Sequence, residues 1–95
     1  MIATLAAWID QNRPELDRLG LMVAYTQGPA DRPKKAGWID LDGPTMLVRV
    51  TVWESGECDI ETALIGSGEQ RVEHRDLASP AALTDTLTEV VARFA

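Results

Sequence analysis

The sequence predicts an α+β fold: an antiparallel meander sheet of four to five strands, with N- and C-terminal helices packed on one face. Two observations predict it. Apolar residues recur at helical spacing near both ends of the chain, whereas residues 38–75 hold β-rich runs separated by glycine-containing turns. Each helix has an apolar stripe that it cannot bury alone, so the simplest arrangement lays both on one sheet face. The other face would then be open to water or to a partner.

Length and cysteine content limit the class of protein. The 95 residues are expected to form a single domain, 1–95, with one modest core. Cys58 is the only cysteine, so no internal disulfide can form, and a reducing compartment, the cytoplasm, is expected. No apolar stretch approaches the roughly 20 residues of a membrane span. The segment 1–8 lacks basic residues and runs into Asp10, which argues against a signal peptide.

The net charge of −6 is unevenly placed. Residues 1–50 carry six basic and six acidic side chains, whereas residues 51–95 carry three and nine. An acidic surface repels nucleic acid and anionic membranes and attracts basic partners, so neither nucleic acid nor membrane is expected to bind. Acidity that serves solubility alone is the alternative. Four of the acids fall within eight residues: Glu54, Glu57, Asp59 and Glu61.

The N-terminal helix is predicted over residues 2–19. Its apolar stripe includes Leu5, Ile9 and Leu16, with Trp8 beside it. Pro14 either kinks this helix or opens a second short helix after a break near residue 12. Gly20 is a plausible C-cap.

Strands and turns are predicted to alternate from residue 21 to residue 75. Glycine and proline mark the loop 27–35 and the turns 42–43 and 66–68. The predicted strands are 21–25, 38–41, 45–53, 58–65 and 69–75. Ser79 followed by Pro80 then predicts the start of a closing helix. Its inner face is Leu83, Leu87, Val90, Val91 and Phe94.

Turn length fixes strand register, and register decides which side chains share a face. If Asp42–Gly43 is a two-residue turn, Ile39 pairs with Met46 and Trp38 with Leu47. A two-residue turn at 55–56 in the next hairpin would direct carboxylates into the core, which costs several kcal/mol. A three-residue loop, 54–56, with Gly56 in a left-handed bulge avoids this burial. The expected pairs are then Val52 with Cys58, Val50 with Ile60, Val48 with Thr62 and Met46 with Leu64.

This register separates a core face from an opposite face. The core face holds Ile39, Leu41, Met46, Val48, Val50, Val52, Cys58, Ile60 and Leu64. The opposite face holds Trp38, Asp40, Leu47, Arg49, Thr51, Trp53, Glu57, Asp59, Glu61 and Ala63. Arg49 is expected to form a cross-strand ion pair with Glu61.

Tryptophans ringed by charged side chains have the composition of a binding hot spot. The alternative is that Trp38 and Trp53 only cover the sheet, under the loop 27–35. The candidate partner-binding residues are Trp38, Asp40, Arg49, Trp53, Glu54, Glu57, Asp59 and Glu61.

Residue patterns for catalysis or for metal binding are weak. His74, the only histidine, has no second ligand at metal spacing, and Cys58 reads as a core residue. Asp59 and Glu61 share a face but lie on a solvated strand without a pocket. The turn 66–68 joins two strands and so lacks the helix N-terminus of a phosphate loop. We therefore expect no catalytic residues, no metal and no cofactor, and a solvated basic loop at Arg32, Lys34 and Lys35.

The chain resembles the TriTu-type immunity proteins of bacterial polymorphic toxin systems. The resemblance covers most of the chain: the N-terminal helix with Trp8, the sheet tryptophans and the C-terminal helix. Its specific part is the run Trp-Glu-Ser-Gly-Glu-Cys-Asp, residues 53–59. The resemblance implies a protein encoded beside a secreted toxin that binds the cognate toxin domain by occlusion and has no active site. Acidity would suit a toxin with a basic groove, such as a nuclease or nucleic-acid deaminase.

Two other function classes compete with toxin binding. A small acidic secretion chaperone would also be α+β, but it would be a stable dimer, whereas an immunity protein is expected to be monomeric when free. A small enzyme would need a deep pocket lined by Asp59, Glu61 or His74.

Overall fold

The computed structural model describes all residues, 1–95, and confirms the α+β prediction. Five antiparallel strands form one sheet in which every strand pairs with its neighbours along the chain, in the order β1-β2-β3-β4-β5. A helix precedes the sheet and another follows it. The elements are α1 (Ile2–Arg18), β1 (Met22–Gln27), β2 (Ala36–Asp42), β3 (Met46–Trp53), β4 (Glu57–Leu64), β5 (Gln70–Asp76) and α2 (Pro80–Ala92).

Both helices pack on the same face of the sheet, and the hydrophobic core lies between the two layers. No helix covers the opposite face, which we call the open face. No helix of the chain is both long enough and apolar enough to span a membrane. The core contains Leu5, Trp8, Ile9, Leu16, Leu21, Ile39, Leu41, Val48, Val50, Val52, Cys58, Ile60, Leu83, Leu87, Val90 and Val91.

Helix α1 runs without a break through Pro14, so the two-helix alternative is wrong. It ends in a Schellman motif. The Leu21 N–H donates to the Leu16 carbonyl at 3.1 Å and the Gly20 N–H donates to the Asp17 carbonyl at 3.0 Å. Gly20 has φ +71°, which confirms its predicted role at the helix end.

The β3–β4 hairpin has the predicted register. Val52 lies opposite Cys58 and Val50 lies opposite Ile60, and these four side chains are buried. Gly56 has φ +97°, and its N–H donates to the Trp53 carbonyl at 2.9 Å. The three-residue loop with a left-handed glycine therefore keeps the alternate carboxylates of β4 out of the core.

The predicted turn at Asp42–Gly43 is wrong. The Gly43 N–H donates to the Met46 carbonyl at 3.1 Å, so the turn residues are Pro44 and Thr45. Proline suits the first central position of a turn. Gly43 lies beneath the end of α2: a Cβ added there would be 2.8 Å from the Phe94 ring.

The correction moves the β2–β3 register by four residues, so that Ile39 lies opposite Val50 instead of Met46. Because four is an even number, every side chain remains on its predicted face. Two predicted core residues are nevertheless only partly covered. Met46 is half-buried at the margin of the core and Leu64 is 38% exposed, since they form the last pair before the β4–β5 turn.

The first strand also differs from its prediction. It spans Met22–Gln27, whereas Leu21 closes the Schellman motif and is buried in the core. Helix α2 starts as predicted: the Ser79 hydroxyl accepts from the Ala82 N–H at 3.1 Å and Pro80 is the first helical residue.

Candidate partner-binding face

Strand register arranges the open face in rows, because residues directly opposite each other in an antiparallel sheet point the same way. Four rows cross the sheet. They are Met22, Asp42, Leu47, Ala63 and Gln70; Ala24, Asp40, Arg49, Glu61 and Val72; Thr26, Trp38, Thr51, Asp59 and His74; and Ala36, Trp53, Glu57 and Asp76. Seven of the eight predicted site residues belong to these rows, and Glu54 lies in the turn that follows Trp53.

The open face is strongly acidic. Its strands carry six carboxylates against one arginine and one histidine, and Lys34 of the β1–β2 loop adds one more cation beside Trp53. Of these carboxylates, Asp42 and Glu61 make no ion pair within the chain. The six are Asp40, Asp42, Glu57, Asp59, Glu61 and Asp76.

Trp38 and Trp53 are half-buried on this face, each with a cation near its ring. The guanidinium carbon of Arg49 is 5.6 Å from the ring centroid of Trp38, and Lys34 Nζ is 5.5 Å from that of Trp53. The third tryptophan, Trp8, is buried in the core instead. The sequence places both sheet tryptophans on the open face, and the structure agrees.

The loop that connects β1 to β2 partly covers the tryptophans. A Cβ added at Gly28 would be 3.4 Å from Trp38 Cζ3, and a small depression of about 210 Å³ lies between this loop and the two indoles. The loop therefore lies close to the two rings, as the covering alternative predicts. Each keeps an exposed fraction that a partner can bury.

Arg49 pairs with Asp40, so the predicted ion pair with Glu61 is wrong. Arg49 Nε lies 2.7 Å from Asp40 Oδ1 and Nη2 lies 3.1 Å from Oδ2. This hydrogen bonding, with the charge of Asp40, raises the pKa of Arg49. Glu61 is directly opposite Arg49 as predicted, but the corrected β2–β3 register places Asp40 opposite it on the other side.

Two further contacts tie the predicted site to distant parts of the chain. Lys34 forms an ion pair with Glu57 while lying over Trp53, so it is not only part of a solvated basic loop. The N-terminal amine of Met1 lies 3.2 Å from Glu54 Oε1. Two of the predicted site carboxylates are thus partly neutralised before any partner arrives.

His74 is a residue of the face that the sequence did not assign to it. Its Nδ1 lies 2.7 Å from Asp59 Oδ1 and its Nε2 lies 3.2 Å from Asp76 Oδ1. The hydrogen bond to Asp59 is the largest cause that raises the pKa of His74, and the hydrogen bond to Asp76 raises it further. The chain turns between β4 and β5 over four residues, 65–68, instead of the predicted 66–68, and this register sets Asp59 opposite His74.

Exposed apolar side chains lie at the other end of the face. Met22 is 74% exposed and Val72 is 67% exposed, and Leu47 is exposed between them. A depression of about 410 Å³ runs past Leu47, Arg49, Glu61 and Val72. The open face thus combines apolar side chains and half-buried indoles with an excess of carboxylates.

The remaining reactive groups offer no assembled site. Cys58 is fully buried, and burial first, then the neighbouring charge of Asp59, raises the pKa of its thiol to about 11. No group of three or more histidine, cysteine, aspartate or glutamate side chains is arranged to hold a metal ion.

Comparison with known proteins identifies the family. No curated protein sequence matches the chain. The family model described as "Immunity protein TriTu" matches residues 3–93, which include all five strands, all of α2 and all of α1 except its first residue. The chain therefore belongs to the TriTu immunity protein family.

Proposed function

We propose that this protein binds the cognate toxin domain of a bacterial polymorphic toxin system through the open face and neutralises it by occlusion, without catalysis of its own. The observation that carries the proposal is the composition of that face, in which two half-buried tryptophans and six carboxylates share one side of the sheet. Tryptophan is enriched among residues that dominate binding energy because its large ring is buried at low entropic cost. The protein would act as a cytoplasmic monomer in the cell that makes the toxin.

The excess of carboxylates indicates the chemistry of the partner. A surface that holds six acids beside Arg49, His74 and Lys34 keeps an excess of negative charge, which attracts a basic surface and speeds its encounter. Enzymes that act on nucleic acids carry basic surfaces, because they must hold a negatively charged phosphate backbone. We therefore infer a nuclease or nucleic-acid deaminase whose substrate groove the open face covers.

Occlusion requires only that the bound protein blocks substrate access. The face is broad and lacks a deep cleft, so it can lie across a groove but cannot enclose a substrate of its own. Asp42 and Glu61, which have no internal partner, are the carboxylates best placed to pair with basic groove residues.

Growth rescue tests the proposal. The toxin domain encoded next to the gene for this chain is expressed from an inducible promoter, with the wild-type chain, with a variant carrying Trp53→Ala and Asp59→Lys, or with no chain. We expect growth arrest without the chain, rescue by the wild type, and no rescue by the double variant although it is folded and expressed. Full rescue by the double variant would exclude the open face, and arrest in the presence of the wild type would exclude neutralisation itself.

A further inference from the structure

The two edges of the sheet differ in how they are protected. Edge strands that carry charged side chains or proline resist pairing with other chains, whereas long uncharged edges invite it. Strand β5 holds two arginines, a glutamate, a histidine and an aspartate. Strand β1, Met-Val-Ala-Tyr-Thr-Gln, has no charged residue and no proline, and it pairs with β2 in unbroken register over all six residues. β1 is therefore the unprotected edge.

The hydrogen bonds show which groups of β1 point outward. The Gly28 N–H donates to the Ala36 carbonyl at 2.8 Å, in the same register as the rest of the β1–β2 pair. Hydrogen-bonded pairs alternate along an antiparallel ladder, so the even-numbered residues of β1 bond to β2. The N–H and C=O groups of Val23, Tyr25 and Gln27 therefore point away from the sheet. Val23 is half-buried and Tyr25 and Gln27 are exposed, so these six groups are accessible.

The size of the open face indicates that a bound partner reaches this edge. Five strands at about 4.8 Å spacing give a face roughly 20 Å wide. A stable interface buries about 800 Å² on each partner, which corresponds to a patch roughly 28 Å across. A partner centred on the face thus extends beyond its margins. Both margins have outward main-chain groups, and β1 is the one whose side chains carry no charge.

A second copy of this chain would fit the β1 edge less well than the toxin domain would. Two copies paired through β1 would bury only a six-residue strand from each, and both acidic faces would lie side by side in a pair with twice the net charge of −6. Two acidic chains repel each other, whereas an acidic chain and a basic partner attract each other. Asp42, which has no ion pair, lies directly across from Met22, one strand in from this edge.

We propose that β1 accepts an extended strand of the toxin domain as a sixth strand of the sheet, an inference that rests on the proposed function. The added strand alternates lysine or arginine with apolar residues. Its basic side chains would project on the open-face side, towards Asp40 and Asp42. Its apolar side chains would lie on the helix side, beside Val23 and Tyr25.

A synthetic peptide tests the edge separately from the toxin. The probe is a capped peptide of about nine residues that alternates lysine with valine around a central tyrosine, the length of a common strand. The control peptide has the same composition with its lysines grouped at one end. We expect the alternating peptide, at about ten times its Kd, to slow hydrogen exchange of the Val23, Tyr25 and Gln27 amides by about tenfold. Exchange of the outward amides of Val72 and His74 on β5 should not change.

Two variants at one position isolate the main-chain contact. Tyr25→Pro removes an outward N–H that no group of the fold uses, and Tyr25→Ala removes the same ring but keeps the N–H. The proline variant should bind the peptide at least about fivefold more weakly than the alanine variant. Unchanged exchange at β1 in the wild type, or equal binding of the alternating and grouped peptides, would overturn the edge assignment even if the proline variant failed to fold. Either result would leave toxin binding by the open face intact, whereas failed growth rescue by the wild type would remove both proposals.

Discussion

Asp40 and Arg49 lie directly opposite each other on β2 and β3 and form two hydrogen bonds, at 2.7 and 3.1 Å, on the open face of the sheet. The same guanidinium lies 5.6 Å from the ring centroid of Trp38. One cation therefore orients both a carboxylate and an indole of the proposed binding surface. This organisation matters more for the shape of the face than for folding, because both charged side chains are more than one-third exposed.

The Asp40–Arg49 pair is expected to contribute less than about 1 kcal/mol to the free energy of unfolding. A double-mutant cycle with Asp40→Asn and Arg49→Gln, measured by urea unfolding, should give a coupling free energy below that value. The coupling should shrink further in about 0.5 M salt, which screens exposed charges. A coupling free energy of several kcal/mol would mean that the pair is part of the folding core.

Gly56→Ala should be strongly destabilising, by about 2–4 kcal/mol in urea unfolding. Gly56 has φ +97°, and a Cβ there would be 2.5 Å from the Leu77 carbonyl oxygen. The Gly56 carbonyl also accepts from the Leu77 N–H at 2.7 Å, so the loop cannot shift without losing that bond.

Gly66→Ala is the matched control for that substitution. Gly66 has no positive φ, and nothing lies within 4 Å of a Cβ added there. The free energy of unfolding of the Gly66→Ala variant should stay within about 0.5 kcal/mol of the wild-type value. Equal effects at the two glycines would contradict the assigned role of Gly56 in setting the β3–β4 register.

His74 should make stability depend on pH in a defined direction. Its pKa is raised by Asp59 and Asp76, so the protonated ring is favoured in the folded chain. The stabilisation is fully present below the ordinary histidine pKa and is lost as pH rises through the raised value. The free energy of unfolding of the wild type relative to His74→Ala should therefore be larger near pH 5.5 than near pH 8.5. A difference that grows with rising pH would contradict the Asp59–His74–Asp76 arrangement.

Cys58 should be almost inert in the folded protein. Its side chain is fully buried and the pKa of its thiol is raised to about 11, so little thiolate exists at neutral pH and no reagent can reach it. Labelling with a disulfide reagent should be at least about a hundredfold faster in urea than in buffer. Rapid labelling of the folded chain would show that β4 is accessible from the helix side.

The β3–β4 register could be predicted because one chemical constraint decides it. A shift by one residue would bury Asp59 and Glu61, and only the loop with Gly56 at its end avoids this. The face that carries Trp53, Glu57, Asp59 and Glu61 follows from that register, and the β2–β3 pairing adds Trp38 and Asp40 to it. It also survives the error at Pro44–Thr45, because the register moved by an even number of residues.

Contacts that depend on tertiary structure could not be predicted from the same pattern. No local rule indicates that Gly43 lies beneath Phe94. The turn at Pro44–Thr45 sets Asp40 opposite Arg49, and Asp40 is the partner of Arg49 where Glu61 was expected. The position of Lys34 over Trp53 depends on the path of a loop whose residues carry no periodic signal. The place of His74 on the face depends on the β4–β5 register, which a flexible Gly-Ser-Gly turn leaves undetermined.

Binding of the toxin domain to the open face is tested most directly by calorimetry, which gives the dissociation constant of the complex. The variant with Trp53→Ala and Asp59→Lys removes an indole and reverses one charge on that face. Asp17→Lys, on the exposed surface of α1, makes the same change in net charge on the opposite side of the molecule. Circular dichroism and urea unfolding would establish that both variants are folded.

At about 0.15 M salt, the double variant should bind the neighbouring-gene toxin domain at least about a hundredfold more weakly than the wild type. The Asp17→Lys variant should bind within about threefold of the wild type, because a charge far from the contact acts only through a screened field. An unchanged dissociation constant for the double variant, or an equal loss in Asp17→Lys, would contradict binding through the open face.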